Sequence, residues 1–384
     1  MLLVNSSADL TIKGMPHPNI PILVDSEMKV VVPVFQFIIY QSIENGRVSS
    51  HKTIKNYSNA LYDYFSFLEA NSLNWEPTSD RSQVSNISLY RNWSASLDGK
   101  ASLKSSTINS RLAVIKSFYE FCHDRGMIDS LPWTSVLRTS SHDNGGFMRH
   151  TRTETKVEST DLRLKQFKEP PRILNLNQAK QLIQSISNKT LLLMVKLSIT
   201  TGLRRDEISS FQRDCIFKPS ADQIGKRLAV DLTPSRGKQR TKGSRPRTIY
   251  IPAPLMLELH EYTRWGEGVK RHSKSLGNDS NKLFLTIDGN EYSESALNTL
   301  LAKLTTTGKI EFKVSPHMLR HTFATVELYA ESQTKDMAHA LAWVRDRLGH
   351  SSIQTTMVYI HCIEQLEDHE VHQYQKELLE LATS

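Results

Sequence analysis

Cysteine is scarce in this chain, and the wording of metal sites is missing. Its 384 residues include only Cys122, Cys215 and Cys362. They are odd in number, far apart and never spaced C-x-x-C, so neither a disulfide framework nor a zinc knuckle is indicated, and a reducing cytoplasm fits best. Long apolar runs are also lacking. The stretch "VVVPVFQFIIY" at 30–40 falls well short of the roughly 20 apolar residues that a membrane span requires. No basic segment ahead of an apolar run marks an exported leader, so the expectation is a protein neither secreted nor anchored. A P-loop, an HExxH pair and a carboxylate cluster of metal-ligand type are absent too, which leaves no sign of chemistry driven by nucleotide hydrolysis or a metal ion. There is no internal repeat and no low-complexity tract.

What is present is an uneven excess of positive charge. Lys and Arg outnumber Asp and Glu by 48 to 40, giving +8 and a pI near 9.2. From Lys226 to Arg247 eight basic residues face one acid, Asp231, whereas His361 to Ser384 holds six acids and only Lys376. The first stretch suits a polyanion and the second repels one. A length of 384 residues allows two or three domains. The order expected is an N-terminal extension over 1–44, a helical domain over 45–138, a basic linker over 139–172 and a second, larger domain over 173–384.

Periodicity supports that order. Ile54, Tyr57, Leu61, Tyr64 or Phe65, and Leu68 share one helical face in "TIKNYSNALYDYFSFLEA". Ile108, Leu112, Ile115 and Tyr119 do so in "SSTINSRLAVIKSFYEFC". Between them Val84, Ile87, Tyr90, Trp93 and Leu97 outline a helix that stops at Asp98-Gly99. From Ser140 to Pro171 the pattern dissolves around Gly-Gly and Pro-Pro, the wording of a linker. Helices resume in "LNLNQAKQLIQSI" and "KTLLLMVKLSI", and "RLAVDL" and "RTIYIP" read as short strands flanking the basic stretch.

Three blocks carry chemistry-bearing residues. In "TTGLRRDEI", Arg204 follows a Thr-Gly turn, with Glu207 three residues on to orient its guanidinium. In "SPHMLRHTFAT", Pro316 opens a helix on which His317, Arg320 and His321 share a face. In "RLGHSSIQTTMVYIH", Gly349 ends one helix, His350 lies in the turn, and Ser351 or Ser352 caps the next helix, which carries Tyr359. Each block alone has a plainer reading: a salt bridge, a polar surface face, a packed ring with its hydroxyl at the surface. Together they match what metal-free attack on a phosphodiester needs. Two guanidiniums and an imidazole, Arg204, Arg320 and His350, can hold the charged non-bridging oxygens. A phenol of pKa about 10 needs a base or cationic surroundings, and His317 is a candidate base. A lysine of the basic hairpin can protonate the departing sugar oxygen.

Arg204, His317-x-x-Arg320, "LGH" ending at His350, and Tyr359 nine residues later resemble the signature of the tyrosine recombinases, the phage integrase family. The resemblance covers most of the chain, the first 40 or so residues and the linker length apart. It implies a mainly α fold with a small β-sheet in the catalytic domain, closing with the helical domain as a C-shaped clamp on duplex DNA. It implies site-specific strand cleavage and rejoining through a 3′-phosphotyrosyl bond, without cofactor, for integration, excision or transposition of a mobile element. The catalytic set it implies is Arg204, Lys242, His317, Arg320, His350 and Tyr359, with Lys238 the rival for the lysine. Glu207 would orient the site and His321 support it without touching the phosphate, while Lys238, Arg240, Arg245 and Arg247 would contact DNA phosphates. The implied partners are a double-stranded recombination site, further copies forming a tetramer on synapsed DNA from free monomers or dimers, and an accessory directionality factor. The implied setting is cytoplasmic and nucleoid-associated, of bacterial or phage origin. The acidic tail after Tyr359 reads as a helix that contacts a neighbouring protomer or folds back on its own domain. Two rivals stay open: a type IB topoisomerase-like enzyme, and a non-catalytic DNA-binding regulator of the same fold.

Overall fold

The computed structural model describes residues 1–45, 51–77, 84–96, 103–133, 162–166, 169–233, 246–275, 280–363, 377 and 380, together with the backbone of 135–140 and 155–160. The chain divides into two compact units, Met1–Lys168 and Glu169–Ser384. The chain is mostly helical with small sheets.

The first unit opens with strands β1 (Leu2–Asn5), β2 (Thr11–Ile12), β3 (Met15–Pro16) and β4 (Pro21–Val24). They pair antiparallel as β1 with β4 and β2 with β3. Helices α1 (Val32–Ile39), α2 (His51–Ala70), α3 (Asn86–Ala95) and α4 (Ser105–Asp124) follow. The apolar faces meet as periodicity requires: Ile54, Leu61, Tyr64, Phe65 and Leu68 of α2 pack against Ile108, Leu112, Ile115 and Tyr119 of α4. Residues 1–44 contribute to the same core through Ile20, Leu23 of β4, and Val34, Phe37 and Ile38 of α1. "VVVPVFQFIIY" is thus largely a short helix, with Pro33 in its first turn, where the missing N–H costs nothing. The stretch expected to be a linker contains the end of one strand and the whole of another. Strands β5 (Ser135–Ser140) and β6 (Thr155–Thr160) form an antiparallel hairpin in full register.

The second unit contains α5 (Leu176–Ser185), α6 (Lys189–Thr201), α7 (Arg205–Ser209), β7 (Arg227–Leu232), β8 (Arg247–Pro252), α8 (Ala253–Arg264) and α9 (Glu267–Ser273). Then come α10 (Ala296–Thr306), α11 (Pro316–Ser332), α12 (Met337–Leu348) and two single turns, α13 (Gln354–Met357) and α14 (Ile360–Ile363). Strands β7 and β8 pair antiparallel from Arg227↔Pro252 to Leu232↔Arg247. Helix α6 is buried nearly all round and forms the centre of the core, consistent with its continuous apolar run. A smaller cluster of Phe323, Leu328, Leu341, Val344 and Leu348 joins α11 to α12 and receives the ring of Tyr359. Among the described residues, no helix is long and apolar enough to cross a membrane.

Candidate active site

Two helix ends build the site. Helix α6 stops at Gly202 and α12 at Gly349, both in the left-handed conformation (φ 66° and 63°) that glycine adopts without penalty. Such ends leave carbonyls pointing out of the helix, at its negative pole. Here they point at arginines: Arg320 donates to the carbonyl of Gly202 and, at 2.7 Å, to that of Leu348, while Arg204 donates to that of Gly349 at 3.2 Å. Arg320 is 3% exposed, and among the described residues no carboxylate pairs with it. Burial, then the charge of Arg204, lowers its pKa to about 9.

Glu207 holds the other side. It is 1% exposed and accepts from the Arg204 backbone N–H at 2.7 Å, the Arg204 guanidinium at 3.2 Å and the two terminal nitrogens of Arg247. Burial alone would raise its pKa, but the bonds and charge of Arg247, followed by Arg204, bring it below the usual carboxylate range. The orienting role expected of Glu207 therefore has a second client. Arg247, expected from the family resemblance to contact phosphates, turns inward onto Glu207 and donates its Nε to the carbonyl of Arg347 at 3.0 Å. Nothing local in "RPRTIYIP" signals this pairing, which joins the start of β8 to α7.

Pro316 begins α11 with Ser315 as its cap, and the helix carries His317, Arg320 and His321 as the spacing requires. The rings of His317 and His321 lie 6.1 Å apart. Burial and the charges of Arg205 and Arg320 lower the pKa of His317; burial, His317 and Arg320 lower that of His321 to about 4. His350 sits in the turn after α12, bonds Thr356 Oγ1 through Nδ1 at 3.0 Å, and is held neutral by burial and the charges of Arg320 and Arg204, with its pKa down to about 3.

Tyr359 lies at the break between α13 and α14 rather than within one capped helix. Its ring stacks 6.3 Å from that of His350. The residue is 2% exposed, so its hydroxyl is not at the surface; it meets His321 Nδ1 at 3.0 Å. Burial raises the phenol pKa, and the charges of Arg320 and Arg204 work against that rise. The sequence places His321 beside the pocket without this contact, because i, i+4 spacing says which side chains share a face and not what crosses to meet them. Arg204, His317, Arg320, His350 and Tyr359 thus gather around one point, whereas Lys238, Arg240, Lys242 and Arg245 lie outside the described residues.

The signature of the Phage integrase family matches residues 172–365, the unit that holds this cluster. The chain belongs to that family. Its N-terminal SAM-like domain matches residues 36–126. Relatives of this integrase-family chain include transposase A from transposon Tn554 of Staphylococcus aureus, 27% identical across 95% of this chain and 96% of its own. Tyrosine recombinase XerC of Chlorobaculum tepidum is 24% identical across 85% and 89%. Among solved structures, the Tn1549 transposon integrase with circular intermediate DNA matches with a TM-score of 0.56 at 18% identity, over 85% of this chain and 94% of that one. The XerH recombinase in a post-cleavage complex matches with 0.53 at 16%, over 84% and 80%. These likenesses show the fold.

The helix ends yield a stability prediction. A Cβ on Gly202 would stand 2.3 Å from Phe323 Cδ1 and 2.9 Å from Leu348 Cδ2, in a conformation disfavoured for alanine. Gly202→Ala is expected to cost about 2–5 kcal/mol from the two penalties combined, read by denaturant unfolding. A change below about 0.5 kcal/mol, typical of inert surface substitutions, would show that the turn tolerates a side chain.

Proposed function

We propose that this chain cuts and rejoins DNA strands at specific sites through a covalent bond to Tyr359, serving integration, excision or transposition of a mobile element. The observation that supports it most is Arg320, a guanidinium buried without a carboxylate partner among the described residues, beside Arg204 and the phenol of Tyr359. A buried cation of this kind is costly unless an anion completes it, and a phosphate fits the planar donors of two arginines. Arg204, Arg320 and His350 hold the non-bridging oxygens and stabilise their growing charge. The Tyr359 oxygen bonds phosphorus as the bond from phosphorus to the 5′ oxygen breaks. The phenolic proton leaves to a histidine of α11, and Lys242, or its rival Lys238, returns a proton to the 5′ oxygen. Because the phosphotyrosine preserves the bond's energy, a 5′-hydroxyl from a second duplex can reverse the step without an external energy source.

The relatives named transposase and integrase favour exchange over relaxation, and the resemblance implies a tetramer on two synapsed duplexes. Two differently labelled duplexes, each carrying the sequence that flanks the chain's own gene, test this reading. A joint product carrying both labels is expected. Relaxation of supercoiled plasmid with no joint product would favour the topoisomerase-like alternative, and binding without cleavage would favour a regulator.

A further inference from the structure

We infer that His321 takes the phenolic proton of Tyr359 when that oxygen attacks DNA, an inference that rests on the reading of Tyr359 as the nucleophile. Geometry favours His321 over His317, one helical turn earlier on α11. A general base must lie within hydrogen-bond reach of the proton it removes, and the Tyr359 hydroxyl is 3.0 Å from His321 Nδ1. The two rings are tilted by 50° with centroids 5.6 Å apart, with Tyr359 buried and His321 partly so. In the tautomer with hydrogen on Nε2, Nδ1 presents its lone pair to the hydroxyl. Proton transfer then leaves an imidazolium at His321 while the phenolate electron pair forms the bond to phosphorus. The reverse step, in which a 5′-hydroxyl displaces the tyrosine, returns the same proton.

The surroundings of His321 couple this transfer to DNA. Around it stand His317 and Arg320 on its own helix, His350 from the turn after α12, Tyr359 with Cys362 from the last turns, and Arg204 at the start of α7. Apart from the phenol and the thiol, these groups are cationic or become so on protonation. Without DNA they hold His321 neutral, able to receive a proton but weakly basic, and the phenol stays protonated. A phosphate diester lodged between Arg204 and Arg320 offsets two of the charges and makes His321 more basic. The nucleophile is thereby activated by its own target.

The test uses the full chain and a nicked duplex that the wild-type protein cuts, with formation of the phosphotyrosyl adduct followed in a single turnover. His321→Asn keeps a polar atom near Nδ1 but cannot accept the proton. It is expected to bind the duplex normally and to form adduct roughly 10²–10³-fold more slowly, in the range set by loss of a general base. Its residual rate should climb with pH as the phenol ionises unaided, where the wild-type rate levels off. His317→Asn is expected to keep a profile that levels off as the wild type's does, because the base at His321 remains. A His321→Asn rate equal to wild type, a reduced rate with an unchanged pH profile, or a steep profile acquired by His317→Asn instead would each overturn the assignment. If His321→Asn fails to fold, nitrogen NMR of the wild-type imidazole decides: hydrogen on Nε2 supports the proposal, and hydrogen on Nδ1 overturns it. If the wild-type chain forms no Tyr359-dependent adduct on any duplex, the reading of Tyr359 fails, a result distinct from these.

Discussion

Tyr359→Phe is expected to abolish covalent protein–DNA adducts, lowering cleavage at least about 10⁴-fold, the scale of loss seen when a covalent nucleophile is removed. The substitution deletes one oxygen and keeps the ring. That ring packs among Phe323, Leu341, Val344 and Leu348, so the fold retains its apolar contacts and loses only the bond to His321, worth about 1 kcal/mol. DNA affinity, set mainly by arginines and lysines on phosphates, should change less than about threefold. Electrophoresis of denatured reactions on a nicked suicide duplex reads the first effect and mobility shift the second. Adducts persisting in the variant would remove the basis for the mechanism.

The second large effect is expected at Glu207, through stability. This carboxylate is the shared counter-charge of Arg204 and Arg247, and its side chain and that of Arg247 are 1% and 7% exposed. Removing one member of a buried ion pair leaves the other charge uncompensated, at a cost of about 3–5 kcal/mol. Here two guanidiniums are stranded and Arg320 stands nearby, so Glu207→Ala should reach that range. Glu207→Gln, which keeps the shape and part of the hydrogen bonding, should cost less. Inorganic phosphate or sulfate should recover part of the loss by entering among the arginines, and the recovery should depend on Arg320. Denaturant unfolding with and without the anion measures both. A Glu207→Ala protein as stable as wild type would mean that the arginines are not held by this carboxylate.

Another buried carboxylate braces the helices behind the site. Glu327 on α11 accepts both from Arg227 at the start of β7, at 2.8 Å and 2.9 Å, and from Arg347 at the end of α12. The Arg347 guanidinium lies 4.2 Å from the Trp343 ring and 4.5 Å from that of Tyr250. This ties together the two helices and the hairpin whose ends present Arg320, His350 and Arg247. Arg347, at the head of "RLGHSSIQTTMVYIH", is thus part of the scaffold that sets the angle of the turn carrying His350.

What the sequence makes legible is local. Helices α2, α4, α5 and α6 follow from apolar spacing, and strands β7 and β8 from the short alternating or clustered apolar residues of "RLAVDL" and "RTIYIP". The cluster of Arg204, Arg320, His350 and Tyr359 is legible because "TGLRRDEI", "HMLRHTFAT" and "LGHSSIQTTMVY" each fix a residue against a turn or a helix face. What escapes is whatever depends on residues distant in the chain. The inward turn of Arg247 requires Glu207, forty positions earlier. The contact of His321 with Tyr359 requires the last turns to fold back on α11, and nothing near His321 announces it. Strands β5 and β6 hide because the residues between them resemble a linker, and two strands that pair need little apolar content to satisfy their backbones. Residues 1–44 lack a clear period, yet the aromatic core of α2 and α4 exposes a face that Phe37 and Ile38 cover. The acidic tail illustrates the same limit: its Glu377 pairs with Lys180 of α5, a contact within the unit.

The central claim is that Tyr359 becomes bonded to DNA. It is tested most directly by trapping the full chain on a nicked duplex, digesting protein and DNA, and mapping the nucleotide-bearing residue by mass spectrometry. The expected result is a phosphodiester joining the Tyr359 oxygen to a 3′ nucleotide, with a free 5′-hydroxyl on the released strand. A nucleotide on any other side chain, or a bond to a 5′ phosphate, would contradict the account.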